Sequence, residues 1–179
     1  YIEEMLKSIP TDLTPPVSRQ FSETVHDVIR DAVIASRGNA LILFTSYALL
    51  DKVYESIHRE LESAGIITLK QGLLPRRRLL EQFRIEYNSA LFATDSFWEG
   101  VDVPGDALRM VVITRLPFRV PTEPIIEARI EHMEAQGLNS FIDYSVPVAV
   151  IKFKQGFGRL IRTKSDTGAV LILDTRIIN

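Results

Sequence analysis

The sequence contains no cysteine, and this absence excludes several kinds of site from its 179 residues. Without thiols the segment has no disulfide framework, no zinc knuckle and no cysteine-ligated iron–sulfur cluster. Histidine is also scarce, because only His26, His58 and His132 are present. All three lie in segments that we predict to be helices, away from the acidic loop described below. We therefore expect no metal site in this chain.

Long apolar runs are absent as well. No stretch of about 18 apolar residues is present, and no basic start leads into a short apolar run with a small-residue cleavage site. We therefore expect a soluble protein without a membrane partner, and the lack of cysteine fits the cytoplasm. The chain begins with Tyr1 rather than Met, and its last predicted strand ends a few residues before Asn179. We expect a piece of a longer polypeptide.

Charge is nearly balanced overall but is distributed unevenly. The net charge of -2 gives no sign of nucleic-acid binding when it is taken over the whole chain. Residues 144–165, however, contain no acidic residue and five basic ones, so the total divides into +5 in this stretch and -7 elsewhere. The basic residues are Lys152, Lys154, Arg159, Arg162 and Lys164. One electropositive segment therefore interrupts an otherwise acidic chain.

Apolar residues follow two alternating periodicities along the chain. Spacings of three and four predict an amphipathic helix between Pro16 and Ser36. The continuously apolar run at 40–46 is typical of a strand buried on both faces of a parallel sheet. We predict further strands at 66–69, 90–94, 110–114 and 169–173, and further helices at about 46–65, 76–87, 122–134 and 145–161.

Five strands that alternate with helices predict an α/β fold with a mostly parallel central sheet and helices on both faces. We assign residues 16–179 to one domain and residues 1–15 to an approach linker. Ligands of such sheets bind at the carboxyl ends of the strands. These ends hold much of the polar chemistry of the chain, and we predict them at Thr45, Ser46, Lys70, Gln71, Thr94, Asp95, Arg115 to Arg119 and Asp174.

The last predicted helix has one polar and one apolar face. Its polar face, within about 80° at 100° per residue, holds Lys152, Gln155, Arg159 and Arg162. The opposite face, which we expect to anchor the helix on the sheet, holds Val146, Ala149, Val150, Phe153, Phe157 and Leu160. Gly156 and Gly158 each cost a helix about 1 kcal/mol relative to alanine, which indicates close approach of another backbone or a ligand. Guanidinium groups suit a transferring phosphoryl group, and a solvated basic face is the alternative.

An acidic, glycine-containing loop follows the strand predicted at 90–94. Residues 95–105 read DSFWEGVDVPG, with carboxylates at Asp95, Glu99 and Asp102. Carboxylates at a strand's carboxyl end accept hydrogen bonds from a ribose hydroxyl or position a water near phosphate. The alternative is a turn in which aspartate caps the next element and glycine adopts a positive φ.

Three sequence blocks, in this order, resemble the C-terminal motifs of superfamily 2 helicases. LILFTSY at 41–47 resembles motif IV, ATDSFWEGVDVPG at 93–105 resembles motif V, and QGFGRLIR at 155–162 resembles motif VI. The variant is that of the DinG/XPD branch, and LPFRVPTEP at 116–124 and LILDTRI at 171–177 are similar to its bacterial DinG side. The resemblance implies a RecA-like, three-layer second motor domain that binds ATP against a first motor domain of the same chain.

The resemblance also implies roles for individual residues. The residues expected to face the γ-phosphate, with the arginines acting as fingers, are Gln155, Arg159 and Arg162. Those expected near the nucleotide are Glu99, Gly100 and Asp102. Those expected to contact the backbone of single-stranded DNA are Ser46, Tyr47, Thr94 and Asp95.

Other aromatic and basic residues have two interpretations each. Trp98 either stacks on a base or packs in its loop. The basic run at 76–78 either meets phosphate or is solvated. Phe118 and Arg119, beside two prolines, line the DNA track or lie apart from it.

Two motifs of an ATP-driven motor are missing. The sequence has no GxxxxGK[ST] segment to hold phosphates and no DEAH-like acidic motif for magnesium. We therefore expect ATP and Mg²⁺ to be held mainly by the partner motor domain and this segment to be inactive alone. The resemblance implies that any iron–sulfur cluster of the parent lies N-terminal to this chain. It also implies that the full-length protein is an ATP-dependent DNA helicase of 5′ to 3′ polarity. The alternatives are a motor-like domain that acts with a fused exonuclease without unwinding, and a non-catalytic RecA-like scaffold.

Overall fold

The computed structural model describes residues 5–8, 18, 20–94, 97, 108–118, 121–157 and 168–177. The strands formed by these residues are β1 (Met5–Ser8), β2 (Ala40–Leu43), β3 (Ile67–Lys70), β4 (Ser89–Ala93), β5 (Met110–Ile113) and β6 (Gly168–Ile172). The α-helices are α1 (Phe21–Ala35), α2 (Tyr47–Ser63), α3 (Arg76–Ile85), α4 (Pro124–Ala135) and α5 (Val146–Phe157).

The six strands form one sheet in the order β1-β6-β5-β2-β4-β3, and every pairing is parallel. The parallel α/β fold predicted from the alternating pattern is confirmed. The prediction of five strands is wrong by one, because residues 5–8 pair with β6 at the edge of the sheet. These residues lie within the range predicted as an approach linker. The domain boundary near residue 15 stays a prediction.

The central strands are buried on both faces, and their side chains alternate between two cores. In β2, Ala40 and Ile42 belong to one core, which also contains the buried residues of α1 and α2. Leu41 and Leu43 belong to the other core, which contains residues of α3 and is contacted by Phe153 of α5. Because strand side chains alternate with a period of two, a strand with helices on both faces is apolar at every position. The fold therefore has three layers.

Helix α1 packs on the sheet through a narrow apolar stripe. Phe21, Val25, Ile29 and Val33, spaced by four residues, are fully buried and form its inner stripe. The helix begins at Phe21, the first apolar residue of the predicted pattern, and lies within the segment from Pro16 to Ser36 in which it was predicted. The sequence pattern predicted its buried face correctly.

The turn from α1 into β2 needs an unusual backbone. Arg37, Gly38 and Asn39 all have positive φ, and Gly38, at φ +81°, lies against the backbone of Asn88 and Ser89. A Cβ atom built on Gly38 would lie 2.7 Å from the carbonyl carbon of Asn88. Glycine is therefore required here both by conformation and by space.

The segment predicted as one helix at 145–161 begins differently. A π-helical turn at Phe141–Ser145 leads directly into α5. Ala149 is buried and Phe153 packs against the core, as predicted, but Val150 is 43% exposed. The prediction that Val150 anchors the helix on the sheet is wrong, because this side chain lines a surface groove instead. The side chains of Phe157 and Leu160 lie outside the described residues.

Candidate functional site

Three side chains from separate elements meet at the carboxyl edge of the sheet. Gln71 follows β3, Thr94 follows β4 and Tyr47 is the first residue of α2. Gln71 Oε1 accepts hydrogen bonds from the Thr94 backbone N–H, at 2.7 Å, and from the Thr94 hydroxyl, at 3.0 Å. Gln71 Nε2 donates to the Tyr47 hydroxyl. The structure therefore brings together Tyr47 and Thr94, two of the predicted DNA contacts, through a residue that was not among them.

The two predicted contacts differ sharply in exposure. The side chain of Tyr47 is 54% exposed, whereas Thr94 is 5% exposed. The Thr94 hydroxyl donates its hydrogen to Gln71. The sequence signal for Gln71 was its position at the carboxyl end of a strand, but its bridging role depends on the pairing of β3 with β4.

Ser46 caps the helix that begins at this edge. Its backbone is extended, and its hydroxyl accepts a hydrogen bond from the Leu49 N–H at 3.3 Å. Ser46 is exposed, and the positive end of the α2 dipole lies beside it. A negatively charged group is therefore favoured at this end of α2. Asp95, predicted as a neighbouring contact, lies outside the described residues.

Lys70, the cation nearest in sequence to Gln71, is held by α2. Its Nζ lies 2.8 Å from the Asp51 carboxylate and 5.0 Å from the centre of the Tyr54 ring. The Asp51 carboxylate balances its charge. The hydrogen-bonding groups of Tyr47, Gln71 and Thr94 beside it are neutral.

A buried carboxylate organises the other end of the same edge. Asp174 follows β6, is fully buried and accepts hydrogen bonds from the Leu116 N–H at 2.8 Å and from the Arg176 guanidinium at 2.6 and 2.9 Å. Burial alone would raise the pKa of Asp174. The hydrogen bonds from Arg176 and Leu116 outweigh burial, so the pKa lies below its ordinary value. Asp174 therefore ties the loop after β5 to the end of β6.

Arg115 is held at the start of that loop by packing. Its guanidinium lies 5.0 Å from the centre of the Phe21 ring. Its Nε is buried and makes no hydrogen bond with the described residues. Burial, followed by the nearby charge of Arg176, lowers the pKa of Arg115, and Asp174 partly offsets both. Arg115 therefore packs between α1 and the end of β5.

Helix α5 presents the first residue of the predicted phosphate-facing set. Gln155 is exposed, and Lys152 lies one turn earlier and is half-buried. Arg159 and Arg162 lie outside the described residues, as do the predicted nucleotide-binding residues Glu99, Gly100 and Asp102. The arrangement of these five around a nucleotide stays a prediction.

The basic run at the start of α3 is partly engaged. The Arg76 guanidinium lies 5.2 Å from the centre of the buried Phe97 ring, and Arg77 Nε lies 3.1 Å from Glu81. Arg78 is exposed. Trp98, whose two interpretations were open, lies outside the described residues.

Phe118 lines an apolar groove between α5 and the loop after β5. Its ring stacks on Phe141 with centroids 5.6 Å apart, and the Arg176 guanidinium lies 5.5 Å from its centre. The groove has a volume of about 650 Å³, and Val146 and Val150 form part of its α5 wall. Arg119, paired with Phe118 in the sequence interpretation, lies outside the described residues.

The residues that the structure describes contain no group of three or more histidine, cysteine, aspartate or glutamate residues placed to hold a metal ion. None of the helices they form has the length and apolar character needed to cross a membrane.

The sequence matches a known family over most of its length. The model of the helicase C-terminal domain matches residues 29–179. An ATP-dependent DNA helicase from Haemophilus influenzae, YoaA, is 40% identical over 178 residues, which cover 99% of this chain and 27% of that protein. A 3′-5′ exonuclease from Bacillus subtilis, DinG, is 37% identical over 182 residues, which cover 99% of this chain and 20% of that protein. The chain thus spans about a quarter of the length of these curated relatives.

The fold also matches a solved structure. An XPD helicase structure superposes with a TM-score of 0.76 over 98% of this chain and 32% of that chain, at 18% sequence identity. At this identity the match supports the three-layer fold and leaves the roles of individual residues open.

Proposed function

This chain belongs to the helicase C-terminal domain family, and from that premise we propose that the protein containing it is an ATP-dependent DNA helicase in which it forms the second motor domain. The observation that supports this most is the meeting of Tyr47 and Thr94 through Gln71. These residues come from two separate motifs, and they meet at the edge where parallel α/β sheets bind their ligands. A cytoplasmic site of action is part of the proposal.

The DNA strand lies along this carboxyl edge. Ser46 and Tyr47 contact its phosphate backbone beside the positive end of α2, and Thr94 and Asp95 belong to the same contact region. The support is geometric, because Ser46 and Tyr47 are exposed at the first turn of a 17-residue helix. Backbone contacts of this kind position a strand without reading its sequence.

The nucleotide half of the proposal rests on the polar face of α5. The exposed Gln155 amide suits a nucleotide phosphate, and Lys152 stands on the same face one turn earlier. Arg159 and Arg162, which share that face in the helix predicted from the sequence at 145–161, act as fingers, because a guanidinium keeps its charge and offers donors in a rigid fork to the phosphoryl group in transfer. Glu99, Gly100 and Asp102 lie near the nucleotide. ATP and Mg²⁺ are bound mainly by the first motor domain of the same protein. Hydrolysis of ATP supplies the free energy for movement along DNA.

The test is the ATPase rate of the full-length protein with and without single-stranded DNA. We expect strong stimulation by DNA in the wild type and its loss in Arg159→Ala and in Arg162→Ala. Removing one such arginine costs about 10³-fold or more in phosphoryl-transfer rate where the finger role has been established. Arg59→Ala, on the exposed part of α2 away from the carboxyl edge, is the matched control and keeps the wild-type rate. Normal turnover in both finger variants contradicts the finger assignment.

A second candidate function is favoured by one of the relatives. The Bacillus subtilis protein is named as a 3′-5′ exonuclease. In this alternative the chain is a motor-like domain that acts with a fused nuclease without unwinding. A duplex with a labelled strand and a single-stranded tail separates the two: displacement of an intact strand, with a 5′ tail preferred, supports a 5′ to 3′ helicase, and shortening of the labelled strand without displacement supports the nuclease.

A further inference from the structure

The orientation of the Gln71 side-chain amide is fixed by its neighbours. A backbone N–H can only donate, so the Gln71 atom that faces the Thr94 N–H at 2.7 Å is the oxygen, Oε1. The amide nitrogen, Nε2, then points to the Tyr47 hydroxyl. The alternative orientation would place two donors against each other at Thr94.

This orientation also fixes the direction of the Tyr47 hydroxyl. Gln71 Nε2 can only donate, so the Tyr47 oxygen is the acceptor. The phenol hydrogen is left to donate, and within the described part of the chain no acceptor takes it. Tyr47 is 54% exposed. It therefore offers solvent a single donor, which suits a group that can only accept, such as a phosphodiester oxygen.

Thr94 has the opposite character. Its hydroxyl hydrogen is donated to Gln71 Oε1 at 3.0 Å, and its side chain is buried. With its hydrogen donated inward, this hydroxyl cannot donate to a phosphate without first breaking its bond to Gln71. Thr94 therefore serves to fix Gln71, which in turn fixes Tyr47.

We infer that Gln71 is a positioning residue that holds the Tyr47 hydroxyl as a hydrogen-bond donor to the phosphate backbone of single-stranded DNA, with Thr94 as its anchor. The inference rests on the proposed function, which supplies the DNA strand. It gives Gln71 a role in DNA binding. Thr94 then holds Gln71 in place and does not itself contact the DNA. The contact is neutral, since the charge of the neighbouring Lys70 is balanced by Asp51 at 2.8 Å.

Two substitutions in the full-length protein separate contact from positioning. Tyr47→Phe removes only the exposed hydroxyl. Gln71→Glu keeps an acceptor for Thr94 but removes the donor, so the Tyr47 hydroxyl turns inward and donates to the new carboxylate. Tyr87→Phe is the matched control, because Tyr87 is also exposed and lies in the turn before β4, at the opposite end of that strand. Circular dichroism confirms that each variant is folded.

The measurement is the binding of a fluorescein-labelled oligothymidine strand by anisotropy. Loss of one hydrogen bond to a charged group predicts binding weaker by about tenfold or more for Tyr47→Phe and no change for Tyr87→Phe. Gln71→Glu weakens binding at least as much, because it also adds a negative charge. In the Tyr47→Phe background only that added charge remains, so the effect of Gln71→Glu is smaller there by the factor that the lost hydrogen bond contributes, about tenfold or more.

The salt dependence of DNA binding distinguishes loss of one neutral hydrogen bond from general damage to the site, which would also remove cation–phosphate contacts. Each lost cation–phosphate contact lowers the slope of log K against log salt by about 0.7 for a single strand. Tyr47 is neutral, so Tyr47→Phe keeps the wild-type slope.

Each remaining outcome counts against a defined claim. Wild-type affinity in Tyr47→Phe, an equal effect of Gln71→Glu in both backgrounds, or a reduced salt slope in Tyr47→Phe overturns the inference and leaves the proposed function in place. Failure of the wild type to bind the strand overturns the proposed function, and the inference with it.

Discussion

Asp174 shows how one side chain at a strand end can hold two loops. It is fully buried, and it accepts hydrogen bonds from the Leu116 backbone and from the backbone and guanidinium of Arg176. The sequence predicted a polar residue at this carboxyl end. It did not predict these partners, because they depend on the parallel pairing of β5 with β6, which places the residues after the two strands side by side.

The lowered pKa of Asp174 predicts a pH-dependent contribution to stability. A carboxyl group whose pKa is lower in the folded state stabilises the fold above the pKa of the unfolded state, about 4, and loses that contribution as the pH falls through the folded value. We expect Asp174→Asn to reduce the free energy of unfolding by about 1–3 kcal/mol at pH 7. The difference between wild type and variant should shrink below about pH 5.

Urea unfolding of the 179-residue chain at pH 7 and pH 3 measures this difference. Asp51→Asn is the control, since Asp51 pairs with Lys70 on the surface and exposed pairs contribute less than about 1 kcal/mol. An equal loss of stability in Asp174→Asn at both pH values would show that the charge of the carboxylate is not the cause.

At the scale of elements, periodicity predicted the buried strands and helices. Strand β2 is apolar at each of its four positions because both of its faces are covered. Strand β1 was missed because it has only four residues, which is too short a pattern to identify a strand. The π-helical turn at Phe141–Ser145 was missed for a different reason, because it lies almost entirely before the predicted start of the helix at 145 and five residues are too few to show a helical period.

Two glycines with similar backbone angles predict different costs of substitution. Gly38 and Gly65 have φ of +81° and +79°, but only Gly38 has backbone atoms close to the place of a Cβ, the nearest at 2.7 Å. Gly65→Ala should lose about 1–2 kcal/mol in the free energy of unfolding from the left-handed conformation alone. Gly38→Ala should lose at least about 1 kcal/mol more, because Asn88 must also move.

The midpoints of urea unfolding of the two variants test this comparison directly. Equal midpoints would mean that the backbone near Asn88 shifts to make room for the Cβ atom without loss of stability. The close approach of Gly38 to Asn88 would then not be a constraint.

At the scale of the whole molecule, the resemblance supplied the family and the motif residues, and the structure supplied their spatial relations. The family and the RecA-like fold are confirmed. The meeting of Tyr47 with Thr94 needed the structure, since Gln71 comes between them only when β3 pairs in parallel with β4. Arg159 and Arg162 lie outside the described residues, so their finger role rests on the motif and on the ATPase test.

The central claim is that single-stranded DNA lies along the carboxyl edge of this sheet. Hydrogen–deuterium exchange of the full-length protein, with and without oligothymidine, tests it most directly. The account predicts slower exchange on DNA binding at residues 45–50 and 70–74, and no change at residues 56–63 in the second half of α2. Unchanged exchange at the first two segments, with protection only elsewhere in the protein, would contradict it.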